Sequence, residues 1–195
     1  MSKNMPNYET SGAMYLALLR GINVGGNNII KMDALRAVFE ALGFSRVKTY
    51  IQSGNILFES AAPDGLADTI ERALQKAFGC EIRVAVFTAE ELRQVVEKRP
   101  PDFGGDPERY RYDVLFFIEP GAAAAEAARE VRLREGVDTL VSGERVLYMT
   151  RFVPALTKSY FSKIAGTPLY QNVTIRNWNT TKKLYEMAVA LGNAA

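Results

Sequence analysis

Midway along the chain, Arg99-Pro100-Pro101-Asp102-Phe103-Gly104-Gly105-Asp106-Pro107 stops every helix and strand pattern. That break constrains the fold most, because similar patterns stand on its two sides in the same order. Ahead of it, residues 13–20 are almost continuously apolar, as suits a strand buried on both faces. Leu35, Val38, Phe39 and Leu42 then mark one face of a helix, and Gly43 is placed to end it. Val47, Thr49 and Ile51 alternate with Lys48, Tyr50 and Gln52. Ser53-Gly54-Asn55 is turn chemistry, and residues 56–59 return as a partner strand. Asp64 is placed to cap a helix carrying Leu66, Ile70, Leu74 and Phe78, which Gly79 stops. Residues 82–87 read as a further strand, and Thr88-Ala89-Glu90-Glu91 is a capping box opening a short helix.

That order, β-α-β-β-α-β plus a helix, is ferredoxin-like. Beyond the break it recurs. Residues 112–118 form a buried strand, and an alanine-rich helix follows at 122–131. Two strands, 137–141 and 145–150, flank a Ser142-Gly143 turn that echoes Ser53-Gly54. Leu156, Tyr160 and Ile164 mark a helix closed by Gly166. Residues 173–176 form a strand, and Asn179 or Thr180 caps a last helix, which pairs Thr180…Leu184 with Thr88…Leu92. The expected fold class is α+β, two tandem ferredoxin-like units packed together. They span 13–98 and 111–195, with a linker at 99–110 and a disordered lead-in at 1–12. Each unit is short enough to need its twin for a core.

Composition removes several functions. Histidine is absent, which excludes Ser-His-Asp and Cys-His nucleophile systems and every His-based metal site. Proton transfer near neutral pH would fall to a shifted Asp, Glu, Lys, Tyr or Cys. The single cysteine, Cys80, reads as a small hydrophobe at a packed corner. No acidic cluster marks a metal site, and no cofactor is expected. No apolar run approaches the roughly 18 residues that span a membrane. Residues 1–12 lack the apolar centre of a signal peptide, so a cytoplasmic location without a membrane partner is expected.

The formal net charge is only +2, yet the charges are unevenly placed. Between Arg145 and Tyr185 stand Arg145, Arg151, Lys158, Lys163, Arg176, Lys182 and Lys183, with no Asp or Glu. Tyr148, Phe152, Tyr160, Phe161, Tyr170, Trp178 and Tyr185 are interleaved with them. Cations and rings without carboxylates suit a polyanion, and any such preference must be local.

Four segments carry candidate contacts. Arg20-Gly21-Ile22-Asn23-Val24-Gly25-Gly26-Asn27-Asn28 leaves a buried strand and runs toward a helix, where backbone amides can meet an anion. It is neither a Walker loop nor Gly-x-Gly-x-x-Gly. The plainer reading gives its glycines to backbone geometry and its asparagines to turns. Thr49-Tyr50-Ile51-Gln52-Ser53-Gly54-Asn55 reads first as a tight hairpin. Thr174 and Arg176 share one side of a strand, and Asn177-Trp178-Asn179-Thr180 opens a helix whose dipole favours an anion. Leu156-Thr157-Lys158-Ser159-Tyr160-Phe161-Ser162-Lys163 sets Lys158 and Ser162 on one helix face, beside Ser159 and Lys163. The candidate ligand-binding residues are Arg20, Asn23, Gly25, Gly26, Asn55, Lys158, Lys163, Arg176, Asn177, Thr180 and Lys183.

At Leu18-Leu19-Arg20-Gly21-Ile22-Asn23-Val24-Gly25-Gly26, at Thr49 through Asn55 and at Thr174-Ile175-Arg176-Asn177-Trp178-Asn179-Thr180, the chain resembles a bacterial family catalogued as domain of unknown function 1697. The pieces stand in the family's order. The family's last motif usually continues with valine, where this chain has Thr181. The resemblance implies a paired ferredoxin-like architecture and no particular activity.

Three readings follow. The first is a protein that binds nucleic acid or another polyanion on a basic C-terminal face. The second is an enzyme or sensor for a small phosphorylated or carboxylated ligand, held where the Arg20 loop meets the Arg176 turn. The third is a structural or interaction module whose motifs serve the fold. The first two need the C-terminal cations to stand open to solvent, and none of the three fixes an oligomeric state.

Overall fold

The computed structural model describes residues 12–23, 29–119 and 124–193. Gly25, Gly26 and all of the expected lead-in except Gly12 lie outside them. The first unit runs β1 (Ala13–Leu19), α1 (Met32–Ala41), β2 (Ser45–Tyr50), β3 (Asn55–Ser60), α2 (Leu66–Phe78), β4 (Val84–Thr88) and α3 (Ala89–Glu97). The second unit opens with β5 (Tyr110–Phe117), α4 (Ala124–Glu130), β6 (Asp138–Ser142) and β7 (Val146–Phe152). Two 3-10 turns follow, Val153–Lys158 and Phe161–Gly166, then α5 (Pro168–Gln171), β8 (Val173–Asn177) and α6 (Trp178–Gly192). The order read from the sequence is therefore the observed one. The sheets, β2-β3-β1-β4 and β6-β7-β5-β8, are both antiparallel and share one ferredoxin-like topology.

Each central strand serves two cores because its side chains alternate in direction. Tyr15, Ala17 and Leu19 of β1 face α1 and α2, where Leu35, Phe39, Ile70 and Leu74 are fully buried. Met14, Leu16 and Leu18 face the other unit and join Tyr112, Val114 and Phe116 of β5 in a shared core, with α3 and α6 packed into it. Leu115 and Phe117 face outward under α4, the second 3-10 turn and α5. Each buried Leu or Phe contributes about 1.5–3 kcal/mol, so the shared core binds the units strongly.

The segment expected as a linker contributes to that core. Phe103 is buried and meets Tyr112, Tyr148 and Trp178 edge-on, at centroid distances of 5.0, 5.1 and 5.2 Å. Gly104 sits at φ +88°, and a Cβ there would collide with the Trp178 indole nitrogen.

Three local expectations are corrected. Asp64 does not cap α2; Gly65, in a left-handed turn at φ +66°, holds the N-cap position without a side-chain bond. Asn179 and Thr180 do not cap α6; the Asn177 side chain does, accepting from the Asn179 amide at 2.9 Å. Asn177 is thus the counterpart of Thr88, whose capping box is present, with Glu91 N–H on Thr88 Oγ1 at 3.0 Å and Thr88 N–H on Glu91 Oε2 at 2.8 Å. The single helix expected through Leu156, Tyr160 and Ile164 is two 3-10 turns, parted by Ser159 in extended geometry. The buried Asp138 carboxylate causes the break. It takes the Ser159 hydroxyl at 2.5 Å and the Tyr160 amide at 2.9 Å, which a continuous helix would withdraw. Lys158 and Ser162 accordingly do not share a helix face.

Candidate functional site

Arg176 leaves β8 on the side facing the first unit and is 6% exposed. Its guanidinium donates to Asn55 Oδ1 at 2.5 Å, Leu19 O at 2.8 Å, Ser53 O at 2.9 Å and Gly54 O at 3.2 Å, all in the first unit. Within its own unit it donates to Thr174 Oγ1 and Ile175 O, both at 2.8 Å. No carboxylate is among these partners. Burial pulls its pKa down to about 10, so the group is still a cation at neutral pH. Charge-assisted bonds to carbonyls replace the lost hydration.

The three motifs therefore meet at the seam between the units and bond to one another. Asn55 donates to Tyr50 O at 3.0 Å and Ser53 Oγ at 2.9 Å. Asn23 closes the base of its loop, donating to Ile30 O at 3.1 Å and Gln52 O at 2.8 Å and accepting from the Ile30 amide. Arg20 crosses to the second unit, with Nε on Tyr170 O at 3.2 Å and its guanidinium 5.0 Å from the Tyr170 ring. Asn177 caps α6 and also donates to Tyr112 O at 3.2 Å. These residues were expected around a ligand pocket. They fill the seam with their own contacts instead.

The open electropositive face expected from the carboxylate-free stretch does not form as a whole. Arg145 is held by Glu91 and Arg151 by Asp113, each at 2.5 Å, because folding brings acids from elsewhere against them. Lys183 pairs with Glu186 at 3.1 Å. Tyr148, Phe161 and Trp178 are buried in the cores, and Thr180 is half-buried on α6. Lys158 and Lys163 are exposed and have no carboxylate partner among the described residues.

Lys163 does have neighbours, and with them it forms a cluster of cations away from the seam. Its Nζ lies 4.7 Å from the Tyr160 ring centroid. The Arg132 guanidinium lies 4.6 Å from the same centroid and that of Arg134 5.7 Å, with Arg134 Nη1 on the phenol oxygen at 3.2 Å. Asp138 sets this arrangement, since it also accepts the Arg134 amide at 3.0 Å and so ties residue 134 to residues 159 and 160. The hydrogen bond from Arg134, with the charge of Arg132 added, holds the Tyr160 phenol below its ordinary pKa. Glu135 borders the cluster without forming an ion pair to either arginine. Beside Tyr160 a cavity of about 180 Å³ opens between the end of α4 and α5. Sequence reasoning missed Arg132 and Arg134 because they sit in the acidic middle of the chain; their close spacing just before Gly136 was the available signal.

The described residues contain no helix long and apolar enough to cross a membrane, and no group of three or more Cys, Asp or Glu placed to hold a metal.

Fold and seam together define a duplicated ferredoxin-like protein whose halves are locked by a buried arginine. Residues 13–148 match the family model described as "Protein of unknown function (DUF1697)", and the chain belongs to that family. It is also similar to the solved structure of a conserved bacterial protein from Streptococcus pneumoniae, at 28% identity and a TM-score of 0.79. That match covers 90% of this chain and 98% of the other. No curated protein matches the chain.

Proposed function

We propose that this protein binds a small phosphorylated or carboxylated ligand through the cations gathered round Tyr160. The observation that carries the reading is that Arg132, Arg134 and Lys163 converge on one ring while none has a carboxylate partner among the described residues. Like charges held together repel, and the half-buried ring offsets only about 1 kcal/mol for each. An anion would relieve that repulsion and accept several charge-assisted bonds at once. Lys163 is the residue of this cluster that the C-terminal charge pattern already singled out.

A small ligand is favoured over nucleic acid because Arg145, Arg151 and Arg176 are engaged within the fold. Too few cations remain for a long phosphate track. Arg176 and Asn55 support the site only by fixing the second unit on the first.

The test is thermal unfolding with inorganic phosphate, with and without Arg132→Ala and Lys163→Ala. Phosphate at a hundredfold excess over Kd stabilises the parent chain by about 2.7 kcal/mol. Each variant keeps its anion-free melting temperature and loses most of that gain. Equal gains in parent and variants overturn the reading, as does no gain at all. A single-stranded oligonucleotide tested alongside is expected to bind weakly, with a shallow dependence on salt.

A further inference from the structure

The anion's remaining body is specified by the cavity beside the cluster. In the first unit α2 is a continuous helix of 13 residues, and its Leu66, Ile70 and Leu74 are buried in one core with Leu35 and Phe39 of α1. In the second unit the corresponding crossover is broken at Ser159 and again at Thr167, where the short α5 begins. The pieces do not close on α4, and the cavity of about 180 Å³ remains. Its walls are Val131, Ile164, Pro168 and Leu169, with the Tyr160 ring on one side and Arg132 and Lys163 present as cations. Both hydroxyls there are already used: that of Thr167 donates to Ile164 O at 2.7 Å and accepts from the Tyr170 amide, and that of Tyr160 accepts from Arg134. An apolar lining with charge beside it calls for a ligand of matching polarity.

We infer that the ligand is an amphiphilic anion, a single carboxylate or phosphate attached to one ring-sized apolar group. This rests on the anion-binding reading above and adds the second half of the molecule. An apolar cavity of about 150 Å³ takes up one benzene, so this space holds one six-membered ring and not two. The Tyr160 ring offers an aromatic group an offset or edge-on neighbour. Arg132 and Lys163 take the charged end, while Val131, Ile164 and Leu169 exclude water from the ring.

Calorimetric titration with matched probes tests it: inorganic phosphate against phenyl phosphate, and acetate against benzoate. Each ring-bearing probe binds about thirtyfold more tightly than its ring-free partner, as burying one ring predicts. Val131→Trp, at a half-buried position on the cavity edge, abolishes that ratio and leaves phosphate affinity unchanged. Lys163→Ala weakens phosphate and phenyl phosphate alike. If phosphate binds and phenyl phosphate binds no better, the ring site is overturned while the anion site stands. If neither binds, both fall. The parent chain's ratio alone decides the matter should Val131→Trp fail to fold.

Discussion

Each unit carries the same backbone joint where it faces the other, and the two joints are filled differently. In the first, the Leu19 amide donates to Gly54 O at 2.8 Å and the Arg20 amide to Arg83 O at 2.9 Å. In the second, the Phe117 amide donates to Arg145 O at 3.0 Å and the Ile118 amide to Asn172 O at 2.9 Å. Gly54 and Arg145 are thus equivalent, and both have positive φ, +72° and +58°. Arg176 and Phe87 are equivalent too, each one residue before the helix cap. At one joint a guanidinium from β8 reaches the carbonyls of the β2–β3 turn. At the other a guanidinium from the β6–β7 turn lies 4.1 Å from the Phe87 ring and donates to Val86 O at 3.2 Å. One cation serves each joint, supplied from opposite sides. The first joint is sealed and its partners are uncharged, whereas the second keeps Glu91 about one-third exposed. Duplication has preserved the joint's geometry and left its chemistry free to diverge. The outer layers differ likewise: α2 is continuous, and its counterpart is broken around Asp138.

The sharpest way to break the comparison is Arg176→Ala. It strips a donor from the Ser53 carbonyl and from the buried Leu19 and Gly54 carbonyls, and should cost about 3–5 kcal/mol in urea unfolding. Arg176→Lys should recover little, because an ammonium cannot span six acceptors. Gly54→Ala comes next. A Cβ there lies 2.7 Å from Leu19 Cβ at a left-handed φ, for an expected loss of about 2–3 kcal/mol. Arg145→Ala should cost about 1–2 kcal/mol, since its partner Glu91 regains water. Equal losses for Arg145→Ala and Arg176→Ala would show that the joints are energetically alike.

The smallest effect concerns Tyr160. Arg134→Ala should move its phenol titration upward, read by ultraviolet absorbance, with little change in melting temperature at neutral pH. The sign follows from linkage. A depressed phenol pKa contributes stability that is fully present above the ordinary tyrosine value near 10 and is lost as pH falls through the lower folded value. A titration unmoved by Arg134→Ala would remove Arg134 from the cluster.

Much of the fold was legible because its signals are local. Thr88 and Glu91 announced their capping box, and Leu66, Ile70 and Leu74 their helix face, within a few residues of sequence. Asn177 was misread because Asn179 and Thr180 are equally good caps in isolation. What chose among them was β8, which runs through Asn177 before the helix begins. The helix through Tyr160 was misread because Asp138, some twenty residues earlier, outcompetes the helical pattern there. The candidate site was legible only at Lys163 and Tyr160.

The order of strands and helices and the repeat of that order are set by periodicity and turn chemistry, which act over neighbouring residues. Which cations remain available was decided only in three dimensions. Arg176 lost its water to a seam made by residues more than a hundred positions away, and Arg145 met Glu91 across the units. Arg132, Arg134 and Lys163 were brought to one ring from separate segments. Desolvation and pairing depend on what packs against a charge, and distance along the chain does not encode that.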